Sequence, residues 1–359
     1  MQPTGKRPSL ADIAKQAGLS RNGVSLALRG DASIPEATRR RVREIAGRLG
    51  YVADPAVSAV MARHRKGVGE TYRGTFALVN GNTDPQAFER HPTIPLYVAG
   101  ARRRAAELGY RMDAFHLNEP GQNGKRLRRV FRARGICGML LVGLMKENRL
   151  PEVLSPVWEA FPCVVTGVRT RRPALNFACV DHYILTLRAV EKAVELGYRR
   201  PALVLDPVID GLVDGRFSAG FRTGQGMLPS SDRLEPLFEG GDDETAFARF
   251  AEWLKRERPD VLLILYNHPR DWLKRLGWAV PGKIGLIQLE WRSGRAEIAG
   301  MNQHNDRTGA AAVEMLAEMV RRGETGSPEN PRATLIGPTW EEGASVRPQS
   351  GGSSRSRVL

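Results

Sequence analysis

Three residues near the N-terminus, Ser20, Arg21 and Asn22, have side chains that suit a helix contacting DNA bases. A guanidinium can donate two hydrogen bonds to guanine, and a carboxamide can form two with adenine. Ser20 stands where a helix N-cap is expected, so the next two residues would lie in the first turn. We therefore expect a helix from Ser20 to about Arg29. Its outward face would carry Arg21, Asn22, Ser25 and Arg29.

The spacing of three residues around this helix is typical of a helix-turn-helix. Ala14 is small where two helices cross, Gly18 tolerates a positive φ in the turn, and Val24 can fix the second helix on the first. The alternative is that such a spacing arises by chance in a pair of helices. A third helix is predicted from Pro35 to Gly50, with an apolar stripe of Val42, Ile45, Ala46 and Leu49.

Basic residues are concentrated in the same region. The 359-residue chain has a formal net charge of +15. Residues 1–66 contain 13 Lys and Arg against 5 Asp and Glu, hence +8. This excess favours a polyanionic partner, either nucleic acid or an anionic membrane surface. Since there is no signal-peptide core and no apolar run of the ~20 residues that span a bilayer, we expect a cytoplasmic protein without a membrane partner.

From Gly74 onward, short apolar strands alternate with amphipathic helices, which predicts parallel sheets covered on both faces. Roughly 270 residues of this pattern exceed one typical domain, so we expect two lobes with a ligand cleft at the carboxyl ends of the strands. The clearest strands are predicted at residues 75–79, 139–142, 163–166, 202–205, 261–266 and 284–289. Helices are predicted, for example, at residues 95–108, 183–196, 244–256 and 308–320.

The N-terminal region closely resembles the headpiece of the lactose-repressor (LacI) family over residues 9–62. The matching blocks are LADIAKQAGLS at 10–20, VS at 24–25, TRRRV at 38–42 and LGY at 49–51. The resemblance implies that Arg21 and Asn22 read bases in the major groove, while Thr38 and Arg39 contact phosphate. It also implies that residues 55–63 form a hinge helix in the minor groove of a symmetric operator.

Two positions depart from the family pattern. Leu26 stands where family members often have a polar or basic third reader, so base choice there would rest on apolar contact or be absent. The leucine that such proteins wedge between central base pairs corresponds to Val60, with Met61 beside it. Any apolar side chain can unstack a base step, so either residue could serve.

The rest of the chain, to about Val346, resembles the family more weakly. The resemblance implies the two-lobed fold of periplasmic sugar-binding proteins. It places five residues in the effector pocket: Asp181, Arg216, Asn267, Glu290 and Trp291. Such a mixture of acid, amide, guanidinium and indole suits a polyol.

Each pocket position also has a plainer interpretation, as a helix cap, a surface ion pair or a core residue. Family members usually have an acid after the asparagine that corresponds to Asn267, and this chain has His268 there. Where they commonly have paired aspartates, this chain has Glu290 and Trp291. The ligand class therefore stays open among an unusual sugar, a sugar acid and a nucleobase.

Taken together, the sequence predicts an N-terminal all-α helix-turn-helix headpiece followed by an α/β, periplasmic-binding-protein-like sensor domain with two lobes. The segments are a headpiece at 1–53, a hinge helix and linker at 54–73, an effector-binding and dimerisation domain at 74–347 and a disordered basic tail at 348–359. A homodimer would hold two headpieces about one helical turn apart on operator DNA. We expect a repressor controlled by a small molecule, a carbohydrate or a derivative; induction and corepression both remain open.

Two other classes of protein compete with this interpretation. A solute-binding component of a transporter would share the two-lobed fold but has no use for a helix-turn-helix. An enzyme on an α/β scaffold is disfavoured because the sequence has no P-loop, no GxSxG and no metal-ligand spacing among its six histidines. We predict no catalytic residues, cofactor or metal, and three free buried thiols: Cys137, Cys163 and Cys179.

Overall fold

A computed structural model describes residues 9–28, 34–49, 51 and 72–349. The chain divides into two compact units, Met1–Thr71 and Tyr72–Leu359. The predicted hinge helix at 55–63 lies outside the described residues, and so do residues 350–359 of the predicted tail. Gln349 donates a backbone hydrogen bond to the carbonyl of Leu196 at 2.8 Å, so ordered packing extends past the predicted start of the tail.

Three helices form the described part of the first unit. They are α1 (Leu10–Ala17), α2 (Arg21–Leu28) and α3 (Glu36–Arg48). Their apolar faces meet in one small core, which consists of Ile13, Ala14, Ala17, Val24, Ala27, Val42, Ile45 and Ala46. A core this small contributes little burial energy, so the local signals at the helix ends matter more than they would in a larger domain.

Those local signals are present at both ends of α1. The backbone and the hydroxyl of Ser9 both donate to the Asp12 carboxylate, at 2.7 and 2.6 Å. Gly18 ends the helix with φ +64°, a left-handed conformation that favours glycine, and its N–H donates to the carbonyl of Ala14. The predicted turn at Gly18 is therefore confirmed.

Within residues 72–349 the strands form two six-stranded sheets, each the centre of one lobe. The first sheet contains β1 (Gly74–Asn80), β2 (Tyr110–His116), β3 (Ile136–Val142), β4 (Cys163–Thr166), β5 (Asn176–Val180) and β11 (Ala333–Ile336). The second contains β6 (Pro201–Leu205), β7 (Leu237–Phe238), β8 (Val261–Ile264), β9 (Gly285–Gln288), β10 (Gly300–Asn302) and β12 (Thr339–Glu341).

The strand orders are β11-β5-β4-β3-β1-β2 and β12-β10-β9-β8-β6-β7. All neighbouring strands pair in parallel except β10 and β12, which are antiparallel. The central strands are buried along their whole length, as expected for parallel sheets covered on both faces. The predicted α/β architecture with two lobes is thereby confirmed.

Helices cover both faces of these sheets. In chain order they are α4 (Ala87–Arg90), α5 (Ile94–Glu107), α6 (Gly124–Ala133), α7 (Ser155–Trp158), α8 (His182–Glu195), α9 (Pro207–Leu212), α10 (Arg216–Gln225), α11 (Glu244–Glu257), α12 (His268–Arg275) and α13 (Asn305–Arg322). Among the described helices, none is long and apolar enough to cross a membrane.

The chain passes between the two lobes three times: after β5, after β10 and after β11. His304 lies at the second crossing with φ +51°, in the left-handed region. Its Nε2 lies 2.9 Å from the hydroxyl oxygen of Thr339, at the third crossing. Two of the three crossings are therefore joined by a side-chain hydrogen bond.

Helices α5 and α13 lie unusually close together on the first sheet. A Cβ on Gly100 would come within 1.8 Å of the carbonyl oxygen of Asp306, and one on Gly309 within 2.1 Å of that of Tyr97. Only glycine leaves room for this approach of two backbones. The two glycines thereby fix the positions of Tyr97 and Asn305, which lie at the ends of these helices nearer the other lobe.

The three cysteines are free thiols. Cys163 and Cys179 are buried, which confirms the prediction for these two. Cys137 is only half-buried. Burial raises the pKa of Cys163, and it raises that of Cys179 to about 12. Such thiols are protonated and unreactive near neutral pH.

Candidate functional sites

The helix-turn-helix has the local geometry that its sequence predicts. Ser20 caps α2 by accepting a hydrogen bond from the backbone N–H of Gly23 at 3.0 Å. Val24 is completely buried and Ala14 is 8% exposed, so the two pack in the core between the first helices. The predicted structural roles of Ala14, Gly18, Ser20 and Val24 are confirmed.

The structure describes some of the residues predicted to contact DNA but not others. Arg21 and Asn22 are the first two residues of α2, and Ser25 and Leu26 lie further along it, each half-buried. The cap at Ser20 therefore holds the backbone that carries the predicted base readers. Three further predicted contact residues lie outside the described residues: Arg29, Val60 and Met61.

Thr38 and Arg39, the predicted phosphate contacts, lie in the first turns of α3. The guanidinium of Arg39 pairs with the Glu36 carboxylate at 2.6 Å, and its side chain is 21% exposed. The neighbouring Arg41 donates to the carbonyl of Ala17 and so ties α3 to the end of α1. A phosphate would have to compete with Glu36 for Arg39, and this role stays a prediction.

The second unit encloses a cavity of about 220 Å³ between its two lobes. Tyr97 and Thr166 line it from the first lobe, and His182, Phe217 and Gln288 line it from the second. Much of the remaining wall is apolar: Leu144, Met145, Val168, Ile209, Leu212, Val213, Leu265 and Ile298. An apolar wall with a few polar groups is the usual composition of a small-molecule site.

Four lining residues carry a buried polar atom that has no hydrogen-bond partner within the described part of the chain. These atoms are Thr166 Oγ1, His182 Nδ1, Gln288 Oε1 and Trp291 Nε1. An unsatisfied buried donor or acceptor costs about 1–3 kcal/mol. Their concentration around one cavity indicates that a polar ligand completes the site.

Three of the five predicted effector residues line this cavity: Asn267, Glu290 and Trp291. The Glu290 side chain is 10% exposed, pairs with Arg292 at 2.8 Å and accepts a hydrogen bond from Asn305 Nδ2 at 3.2 Å. Asn267 accepts a hydrogen bond from the Arg295 guanidinium through Oδ1. The three residues follow β8 and β9, at the sheet edge where ligands were expected.

The other two predicted effector residues are not among those that line the cavity. Asp181 caps α8, accepting from the backbone N–H of Ile184 at 3.2 Å, which is the plainer of its two interpretations. Arg216 begins α10; burial, and then the charge of this arginine, lowers the pKa of His182 to about 3. Arg216 thus acts electrostatically on a lining residue, and a direct effector contact from either residue stays a prediction.

Several lining residues were not predicted from the sequence. Thr166 and Gln288 end strands β4 and β9, so the strand-end argument could have found them. Tyr97 projects from α5, and no sequence signal marks it. Burial, and then the nearby Glu290, raises the pKa of Tyr97, so its hydroxyl is a neutral group that can both donate and accept.

A further hydrogen bond, in addition to that between Asn305 and Glu290, joins the two lobes beside the cavity. Arg292, which follows β9, donates to the hydroxyl of Thr93 at 3.2 Å, and Thr93 precedes α5. His91 Nδ1 accepts from the backbone N–H groups of Thr93 and Ile94, at 3.1 and 3.3 Å. Burial, and then the charge of Arg292, lowers the pKa of His91, so this acceptor stays unprotonated near neutral pH.

The chain thus combines a helix-turn-helix unit with a two-lobed α/β unit that has a cavity between its lobes. The family model "Bacterial regulatory proteins, lacI family" matches residues 9–54, which include all three helices of the first unit. The match shows that the N-terminal unit of the chain is similar to the DNA-binding domain of that family.

Curated relatives agree with this assignment. The HTH-type transcriptional regulator CelR of Thermobifida fusca is 26% identical over 204 residues, which are 56% of this chain and 56% of CelR. The HTH-type transcriptional regulator GntR of Pseudomonas aeruginosa is 47% identical over 57 residues, 16% of this chain and 17% of GntR. The chain thus matches about half the length of CelR and a much smaller part of GntR.

Solved structures share the fold of the chain. The complex of the transcriptional regulator CelR with cellobiose has a TM-score of 0.58 at 21% identity, covering 94% of this chain and all of that chain. The lac repressor dimer bound to operator and the anti-inducer ONPF has a TM-score of 0.55 at 16% identity, covering 95% and 100%. At these identities the likeness establishes the architecture.

Proposed function

We propose that the chain is a sequence-specific DNA-binding transcriptional regulator, a repressor, whose affinity for operator DNA is controlled by a small polyhydroxylated molecule. The observation that carries the proposal is the capped helix-turn-helix in a domain of the lacI family. The cap at Ser20 and the turn at Gly18 hold the start of α2 in a defined position. Base reading requires such a rigid element, because a hydrogen bond to a base edge tolerates little misplacement.

The cavity supports the second part of the proposal. Its buried atoms without partners include donors and acceptors, as the vicinal hydroxyls of a carbohydrate require. Trp291 and Tyr266 add aromatic surface for the C–H face of a sugar ring. The related CelR has been solved with cellobiose, which supports a carbohydrate or a derivative as the effector here. The proposal assigns the cavity to binding rather than to catalysis.

We further propose that the regulator acts as a homodimer in the compartment that holds the chromosome. Two headpieces about one helical turn apart would read a symmetric operator. The lac repressor, which shares the fold, has been solved as a dimer on its operator. The effector would act by binding one arrangement of the lobes better than another, because only a difference in affinity can shift such an equilibrium.

Replacing Arg21 by Ala tests the base-reading part of the proposal. Operator fragments are first selected from the source genome with the full-length protein, and binding is then compared on every single-base variant. We expect Arg21→Ala to weaken operator binding by about 1–3 kcal/mol and to abolish discrimination at one base pair of each half-site.

A matched control is Arg270→Ala, which removes a half-buried arginine of the second unit that pairs with its neighbour Asp271. It should leave both affinity and discrimination unchanged. If Arg21→Ala instead weakened binding equally on all sequences, Arg21 would be a phosphate contact. If the parent protein selected no fragment with or without sugars, the proposed function would be wrong.

A further inference from the structure

We propose that the effector is a sugar acid, a polyol that carries one carboxylate, and that Arg295 is the residue that selects it. This inference rests on the proposed function, since it names the chemical class of ligand for the same cavity. Charged side chains line the cavity, and some of them are already neutralised by a partner within the protein.

Two arginines and one carboxylate line the cavity: Arg292, Arg295 and Glu290. Arg292 and Glu290 form an ion pair at 2.8 Å, which cancels two of the three charges. The lining histidines, His91 and His182, have pKa values lowered by burial and are neutral near pH 7. The cavity therefore carries one uncompensated positive charge, on Arg295.

Arg295 lies in a short 3₁₀ turn, Ser293–Arg295, and its side chain is one of those that line the cavity. Its hydrogen-bond partner in the described structure is the neutral Oδ1 of Asn267, and no carboxylate there lies within ion-pair distance. Asn267 thus orients the guanidinium without neutralising it. Since a half-buried charge is stabilised by an opposite charge, a ligand carboxylate that accepts two hydrogen bonds would complete the site.

The rest of the cavity indicates what carries the carboxylate. The unsatisfied atoms of Thr166, His182, Gln288 and Trp291 can accept from or donate to hydroxyl groups. A cavity of about 220 Å³ lies below the ~300–1,000 Å³ of typical drug-sized sites, so the ligand is close to a monosaccharide in size. A monosaccharide with one carboxylate satisfies the hydroxyl partners and the charge together.

A phosphate group fits the same cavity less well than a carboxylate. A phosphate monoester carries nearly two negative charges near neutral pH, whereas the lining offers one free positive charge. The backbone N–H groups of Thr93 and Ile94, at the start of α5, already donate to His91 and are not free for an anion. The charge balance therefore favours a monoanion.

The test measures ligand binding to the full-length protein by isothermal titration calorimetry. The probes are D-glucuronate, D-galacturonate and D-gluconate, with D-glucose and D-galactose as their neutral counterparts and D-glucose 6-phosphate as the phosphate arm. We expect at least one acid to bind more tightly than every neutral sugar and than the phosphate. We expect Arg295→Met to weaken binding of that acid by about tenfold to a hundredfold.

Two further variants make the test specific. Arg295→Lys keeps the charge but loses the paired donors, so it should recover part of the affinity. Arg270→Met removes a half-buried arginine that is not among the residues lining the cavity, and this variant should bind the acid as the parent does. Circular dichroism of all variants checks that the fold is intact.

The inference is overturned if a neutral sugar or the phosphate binds most tightly, if none of the acids binds at millimolar concentration, or if Arg295→Met binds the acid as well as the parent does. None of these results depends on whether the same preparation binds operator DNA. A preparation that selects operator DNA but fails the acid test therefore refutes the ligand class alone. Failure to select any DNA refutes the proposed function.

Discussion

Replacing Gly309 by Ala is expected to lower the free energy of unfolding of the second unit by about 2–3 kcal/mol. The new Cβ would lie 2.1 Å from the carbonyl oxygen of Tyr97 and 3.1 Å from the backbone nitrogen of Ala101. Both atoms belong to the backbone of α5, so no side-chain rotation can relieve the overlap. Helix α13 must move away from α5, and the packing of both helices on the first sheet is lost in part.

Guanidinium unfolding followed by tryptophan fluorescence measures this effect in the second unit alone, because all six tryptophans follow residue 157. The matched control is Gly211→Ala in α9, where a Cβ would have no atom within 4 Å. That variant should be unchanged or stabilised by about 0.5–1 kcal/mol, as alanine favours a helix. Equal midpoints for the two variants would contradict the close approach of α5 and α13.

Replacing Val24 by Asp is expected to abolish specific DNA binding. Val24 is completely buried in the small core of the first unit, and an uncompensated buried charge costs about 3–5 kcal/mol. A core of this size cannot offset such a loss, so the helix-turn-helix would unfold. Operator affinity should fall by at least about a hundredfold, while ligand binding by the second unit should be unchanged.

The control for Val24→Asp is Gly47→Asp on α3, which adds the same charge at an exposed position where a Cβ has no neighbour within 4 Å. Electrophoretic mobility shift measures operator binding, and calorimetry with the bound sugar acid measures the second unit. If Gly47→Asp lost binding to the same extent, the cause would be the added negative charge near DNA rather than the core.

The fold followed from the sequence for several elements that bury a continuous apolar run, although β5, which is also buried along its whole length, was not among the predicted strands. Strand β4 was predicted at its observed bounds, because four apolar or small residues are enclosed on both faces. Strand β11 was not predicted: its residues alternate between exposed and half-buried, and its pairing with β5 joins segments more than 150 residues apart. Edge strands of this kind depend on tertiary contacts that no local pattern encodes.

The candidate site was predictable to the extent that it follows strands. Asn267, Glu290 and Trp291 were placed in the pocket by the family resemblance, and they lie in the segments that follow β8 and β9. Tyr97 reaches the cavity from a helix that two glycines hold against α13, and Arg295 reaches it from a 3₁₀ turn. Their places depend on how separate segments meet in space. Asp181 shows the converse case, because a residue after a strand can equally cap the next helix.

The three crossings between the lobes restrict how the cavity can open. Parallel covalent connections resist sliding of one lobe along the other, because sliding would stretch the backbone, but they permit rotation about an axis through them. The ring of Pro338 fixes one dihedral angle of the third crossing, so we expect part of the change in angle to fall on Gly337 beside it and on the left-handed His304 at the second crossing. Ligand binding should thus change the backbone torsion angles of these two residues. The rate of amide hydrogen exchange at Gly337 and His304 would then report how far the lobes have opened, without any probe placed in the cavity.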